Sequence, residues 1–304
     1  MASDIAPIQA SPETVLIPWR NAPLTVELRK GEPTTAGGPI PFIVFVNGLG
    51  SSRASWAETL RRLPRHYTLL TYDRFGQGDT PPLPDDVPEE LRDGTAAARD
   101  LFELIQELAK KGRIDLSHSK TVLAAHSIGA AIARLLLINH SIGAVGGALL
   151  LDPSIVNSDF VSLFPEPDDD EPEELTRTRD ATRRVFHPSV PNPERFNRKN
   201  FAELLPFAEK PVLETDPYVT VVAHDPTVAF GEASEKMGIT TKYARQYIEP
   251  YWQDYNKKLL LAVSEGKRKG PVVAERADHF IQKDRPDVVA DEIKYLVDRV
   301  TPTT

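Results

Sequence analysis

The sequence predicts an α/β fold in which a mostly parallel central sheet carries helices on both faces. Short apolar, β-branched runs alternate with stretches of helical periodicity along most of the 304 residues. One of those runs, Pro41-Phe42-Ile43-Val44-Phe45-Val46, is continuously apolar, as a strand covered on both faces must be. The alternation breaks once, between Pro153 and Pro217, which marks an inserted segment.

Taken in order, Thr25–Leu28 reads as an early antiparallel strand and Phe42–Val46 as a central one. Trp56 to Leu63 reads as a short amphipathic helix, followed by a strand at Tyr67–Tyr72 that ends in Asp73-Arg74-Phe75-Gly76-Gln77-Gly78-Asp79. From Thr95 to Lys111, Ala98, Leu101, Leu104, Ile105 and Leu108 recur at helical spacing. A strand at Lys120–Ala124 and an Ala- and Leu-rich helix at Ile128–Leu137 flank Ser127. Further strands end at Leu149-Leu150-Leu151-Asp152, at Val221-Val222-Ala223-His224 and at Val272-Val273-Ala274, and a helix from Pro286 to Val300 closes the pattern. Two units follow from this reading: a core of 1–152 with 218–304, and an insertion of 153–217.

A chain with 40% hydrophobic residues can bury a large core. Its net charge of −8 opposes general affinity for nucleic acid or anionic membranes, because no basic stripe is available to neutralise phosphates. With no cysteine, disulfides, thiolate metal sites and cysteine nucleophiles are all excluded. No histidine pair has zinc-like spacing, so neither metal nor cofactor is expected. The opening residues, Met1 to Pro7, lack the basic and apolar blocks of a signal peptide, Thr301–Thr304 carries no readable address, and no apolar run reaches membrane-spanning length. A cytoplasmic protein acting on a small molecule is the expectation.

The insertion holds the acidic run Asp168–Glu171 and a helix over Glu174–Val185. A disordered linker is the competing reading. Against it stand Phe160, Val161, Leu163, Phe164, Val185, Phe186, Phe201, Leu204, Leu205 and Phe207, too many apolar side chains for a solvated tether. Arg177, Arg179, Arg183 and Arg184 are expected to form surface ion pairs with the neighbouring acids rather than to receive a substrate. Tyr247, Tyr251, Trp252 and Tyr255 stand at helical spacing and are expected to pack on the sheet.

Ala125-His126-Ser127-Ile128-Gly129 places a serine between small residues where a buried strand turns into a helix. Small neighbours at −2 and +2 let strand and helix approach closely, and the turn presents the hydroxyl outward. A serine capping a core helix is the plain alternative. The pattern resembles the G-x-S-x-G nucleophile elbow of the α/β-hydrolase superfamily, with Ala125 in place of the first glycine. Asn47-Gly48-Leu49-Gly50 resembles that family's oxyanion loop, with Asn47 for its histidine, and Asp73 to Thr80 resembles its D-x-R-G-x-G-x-S turn, to which a structural role is assigned.

The resemblance spans about Val15 to Val300 and implies a serine esterase with an inserted cap. It implies Ser127 as nucleophile, His279 as base, and the amides of Leu49 and Ile128 as the oxyanion hole. For the acid it implies Asp225, at the end of the penultimate strand, with Asp152 as the alternative. The order Ser, Asp, His is the family's own. His126 is expected to be packing that points away from the site, and His66, His118, His140, His187 and His224 to be surface or capping residues. Serine at the elbow argues against epoxide hydrolases and haloalkane dehalogenases, whose nucleophile is an aspartate. The substrate implied is a medium-sized apolar ester or lactone. Other readings of the same triad are a non-hydrolytic receptor, a carbon–carbon hydrolase, an acyltransferase, and an aminopeptidase using Glu171 to Glu174 to hold an amine.

Overall fold

The computed structural model describes residues 11–33, 38–117, 121–140, 145–206 and 212–301. His118, Lys120, Phe207, Met1–Pro7 and Pro302–Thr304 lie outside the described residues. Among the described residues eight strands form one sheet: β1 (Glu13–Ile17), β2 (Ala22–Arg29), β3 (Phe42–Val46), β4 (Thr68–Asp73), β5 (Thr121–His126), β6 (Val145–Leu151), β7 (Tyr218–Ala223) and β8 (Arg268–Val273). Their order is β1-β2-β4-β3-β5-β6-β7-β8. The β1/β2 and β2/β4 pairs are antiparallel, and every pairing from β4 to β8 is parallel. The fold is therefore the α/β-hydrolase fold expected from the sequence, with one strand, β1, that the pattern did not signal.

The central strands work two cores at once. In β3, Phe42, Val44 and Val46 enter one hydrophobic cluster while Ile43 and Phe45 enter the other, because successive side chains point to opposite faces. One face is covered by helices α1 (Gly94–Lys110), α2 (Ile128–Asn139) and α4 (Glu249–Leu259), and the opposite face by α5 (Pro286–Val300). Between α2 and α4 in the chain, α3 (Glu173–Phe186) rises from the insertion. The helix expected over Trp56–Leu63 is shorter: a 3-10 turn at Arg53–Trp56 leads into Ala57–Leu60. Pro64 disfavours helical geometry in the residue before it, so the last turn does not form.

The insertion is tied to the core rather than tethered. Phe160, Phe164, Phe196 and Phe201 are buried in the same cluster as α1 and α2. Asp93 caps α1 through the Ala96 amide and accepts a hydrogen bond from Asn200 Nδ2 at 2.6 Å. Among the described residues no helix is long and apolar enough to cross a membrane.

Candidate active site

Ser127 stands at the junction of β5 and α2 with φ 55° and ψ −125°, a conformation that costs energy in any residue but glycine and persists only where packing enforces it. Its amide is anchored to Leu151 O at 2.9 Å. The small residue at +2 is a steric necessity: a Cβ on Gly129 would lie 2.5 Å from Val46 O and 2.7 Å from Asn47 O. With glycine there, α2 starts directly against the end of β3 and the serine hydroxyl faces a cavity.

That hydroxyl meets an imidazole from the far end of the sequence. Ser127 Oγ lies 3.0 Å from His279 Nε2, and His279 Nδ1 lies 2.6 Å from Asp152 Oδ2. A carboxylate only accepts hydrogen bonds, so Nδ1 carries the proton and Nε2 is left as an acceptor for the serine. Asp152 is fully buried at the end of β6, while the His279 side chain is 31% exposed and open to the cavity. The Ser154 hydroxyl, 2.9 Å from Ser127 Oγ, completes the serine's contacts.

The carboxylate at His279 is thus the alternative, Asp152, and the structure corrects the first choice, Asp225. Asp225 accepts from the Thr227 amide and hydroxyl and from the Arg276 amide, at 2.7–2.8 Å, and does not reach His279. The reason is local: β7 ends one residue before His224, and the chain then turns outward into a tight turn at Asp225. The inward position is taken by His224.

His224 is the site residue that the sequence reading misplaced on the surface. It is 4% exposed, and it bridges two carboxylates: its Nδ1 is 2.7 Å from Asp152 Oδ1, and its Nε2 is 2.8 Å from Glu249 Oε2. Burial disfavours a charged imidazole, but the negative charges and hydrogen bonds of Asp152 and Glu249 outweigh it and push the His224 pKa up to about 10. Burial likewise opposes ionisation of Asp152, yet the His224 charge and the bonds from both histidines hold its carboxyl below the usual range. Glu249, at the start of α4, had no signal in the sequence. Trp252, one turn on, donates from Nε1 to Pro153 O at 2.8 Å and sets its edge against His224 and His279. It packs on the sheet as expected and also lines the cavity.

His126 is buried, as expected of packing, but it faces the site. Its Nε2 donates to His279 O at 2.8 Å and its ring lies against the His279 ring, with centroids 4.7 Å apart. Burial, aided by the nearby His279, lowers its pKa to about 3, so it stays neutral. A Cβ on Gly48 would fall 2.6 Å from His126 Nδ1, so this ring and the loop after β3 pack too closely for any larger residue.

That loop carries Leu49, which lines the cavity together with Ile128. The Ile128 amide belongs to the first turn of α2, whose N–H groups have no partner within the helix. The Gly48 carbonyl is gripped by Arg74 Nη2 at 3.0 Å and Gln77 Nε2 at 2.8 Å. In a trans peptide the N–H points opposite to the C=O, so these two side chains fix the direction of the Leu49 N–H. No described group accepts from it. Arg74 also binds Asn47 O, and Asn47 itself is a buried brace to Tyr72 O and Trp56 Nε1. The structural role expected for the 73–80 turn is what the geometry displays. Glu194, from the insertion, bonds Arg74, Gln77 and the Gly50 amide together.

The cavity has a volume of about 340 Å³ and is walled mostly by apolar side chains. Phe160, Val185, Phe186 and Phe201 come from the insertion, and Phe230 and Met237 come from the segment after β7, which the sequence reading had not placed near the site. Arg177 and Arg183 pair on the surface with Glu173 and Asp180, as expected, whereas Arg179 is buried and its pair with Glu171 is withdrawn from solvent. Glu171, Glu173 and Glu174 do not line the cavity, which removes the amine-holding role considered for them.

The sequence profile of the Alpha/beta hydrolase family matches residues 43–292. The chain belongs to that family. Its fold is shared with a laboratory-evolved variant of potato epoxide hydrolase (TM-score 0.61, 16% identity, 95% of this chain and 99% of that one). It is shared also with an epoxide hydrolase from Vigna radiata (0.57, 14%, 96% and 99%) and with a protein from Acinetobacter baumannii provisionally assigned as a lipase (0.55, 15%, 95% and 91%). At these identities the likeness is one of fold. Among curated proteins no sequence matches this chain.

Proposed function

We propose that this protein is a serine hydrolase that cleaves a carboxylic ester or lactone of medium size through an acyl-enzyme. One observation carries the reading: a strained serine hydroxyl 3.0 Å from an imidazole that is itself 2.6 Å from a buried carboxylate, opening into an apolar cavity. Ser127 Oγ attacks the carbonyl carbon while His279 Nε2 takes its proton, and Asp152 stabilises the imidazolium that forms. The amides of Leu49 and Ile128 receive the oxyanion, and one such donor contributes about 3 kcal/mol to the transition state. His279 then protonates the leaving alcohol, and a water that it deprotonates releases the acid.

The neighbours named as epoxide hydrolases support the fold of this reading and not its bond. A serine at the elbow lacks the carboxylate from which an alkyl-enzyme ester is made. A fluorophosphonate probe should label the wild type at Ser127, and p-nitrophenyl butyrate should be hydrolysed by the wild type and not by Ser127→Ala. Equal turnover by the two proteins refutes the nucleophile; a wild type that neither reacts with the probe nor turns over esters fits a receptor instead.

A further inference from the structure

The cavity is apolar but not uncharged. Asp152 and His224 neutralise each other inside the wall, and Asp278 is occupied by the His279 amide at 2.8 Å. Arg198, from the insertion, is different. Its Nη1 donates to Phe186 O at 3.4 Å, and its Nη2 donates to His187 O at 2.9 Å and Val190 O at 3.2 Å. Its Nε is buried with no partner, and among the described residues no carboxylate is paired with it.

Three other arginines of the chain serve as internal controls. Arg20, Arg74 and Arg179 are each withdrawn from solvent, and each is bonded to a carboxylate, of Asp100, Glu194 and Glu171 respectively. At these three positions a buried guanidinium is supplied with its counter-charge. At Arg198 the described acceptors are carbonyl oxygens alone, those of Phe186 and His187 at the C-terminal end of α3 and that of Val190 beyond it, whose partial negative charge seats the group but offsets a unit charge incompletely. Burial depresses the Arg198 pKa with no carboxylate opposing the effect. An arginine nonetheless stays protonated. The result is a fixed, under-compensated cation on the wall of the cavity into which Ser127 opens, beside Phe186 and Phe201.

We infer that Arg198 forms an anion subsite of this cavity, and that the ester or lactone it accepts carries a second, ionised group, a carboxylate. The inference rests on the hydrolase reading above and narrows its substrate. A carboxylate suits the site better than a phosphate dianion. Of the two guanidinium N–H groups left unused, that on Nε is buried, which leaves one on Nη1, and among the described residues that line the cavity the only other charged side chain outside the Asp152–His224 pair and His279 is Asp278, an acid.

Calorimetric titration of the Ser127→Ala protein reads the subsite without turnover. At pH 7 it should bind monomethyl adipate at least about tenfold more tightly than methyl hexanoate, the usual range for a hydrogen bond to a charged group. In Ser127→Ala/Arg198→Met that preference should vanish, and Arg198→Lys should retain part of it. Equal binding of the two ligands to Ser127→Ala overturns the inference without any change at residue 198, as does a preference that survives Arg198→Met. On the wild type, kcat/KM for mono-p-nitrophenyl adipate should exceed that for p-nitrophenyl hexanoate, with the difference in KM. Failure of the hydrolase reading shows separately, as absence of fluorophosphonate labelling.

Discussion

The C-terminal ends of β6 and β7 each deliver an aspartate to the same side of the sheet, Asp152 from one and Asp225 from the other. Asp152 has no solvent exposure, and both its oxygens are taken by imidazoles, His279 on one and His224 on the other. Asp225 is partly open to water and spends its oxygens on its own turn and on the Arg276 amide. A buried carboxylate facing two histidines is an electrostatic device, because its charge acts at short range through a medium that screens weakly. A carboxylate in water that ties two loops together is a fastening. The difference teaches that proximity to a catalytic strand end does not assign the acid; the direction of the first residue beyond the strand does.

The largest expected effect would break the comparison outright. Asp152→Asn should lower kcat/KM toward p-nitrophenyl butyrate by about 10⁴, because the amide favours the wrong tautomer of His279 and no longer stabilises the imidazolium. Ser127→Ala should lose at least as much. If Asp225→Asn matched that loss while Asp152→Asn did not, the assignment from geometry would be inverted. A smaller loss, about 10²-fold in kcat, is expected for Arg74→Met, which frees the Gly48 carbonyl and hence the direction of the Leu49 N–H. Its KM should move less than its kcat, since the oxyanion exists only in the transition state.

Glu249 sharpens the comparison on the buried side. Asp152 and His224 together carry no net charge, and Glu249 restores one negative charge to the group behind His279. Glu249→Gln should cost about tenfold in kcat and should also destabilise the fold. The pH sign follows from His224. Its folded pKa of about 10 lies above the ordinary 6.5, so the stability it contributes is complete below about pH 6.5 and is lost as pH rises through about 10. The gap in thermal midpoint between wild type and Glu249→Gln should therefore be widest near pH 6.5 and narrow by pH 10.5.

Much of this arrangement is legible in the chain. Continuous apolar runs locate the buried strands, and small residues around Ser127 announce a turn whose tightness the Gly129 contacts explain. His279 is legible because it stands between the last strand and the last helix, where the family that the sequence resembles places its base. What stays hidden depends on distance in sequence. Glu249 stands 25 residues from His224 at the start of a helix, and nothing in its neighbourhood marks it as facing a histidine. Arg198 lies in an aperiodic stretch, whereas Arg177 and Arg183 sit one helical turn from the acids they pair with and could be read from spacing alone. β1 is short, edge-placed and alternating, a weak signal beside the buried strands.

The smallest expected effect is the most discriminating. Asp225→Asn retains one side-chain oxygen and the size of the group, so it can still accept from either the Thr227 or the Arg276 amide, though not with a full charge. Arg276 begins the loop that brings His279 to Ser127, and the Asp225 amide itself holds Ala277 O at 2.8 Å, a bond that the substitution leaves in place. The loop should therefore keep its position, with kcat/KM falling by about threefold or less, and the loss should be the same at pH 6 and pH 9 because water at this partly open carboxylate screens its charge from the imidazole. A loss that grew with pH would mean that the Asp225 charge reaches His279 through the loop, and the two strand ends would then share the work that the geometry gives to Asp152 alone.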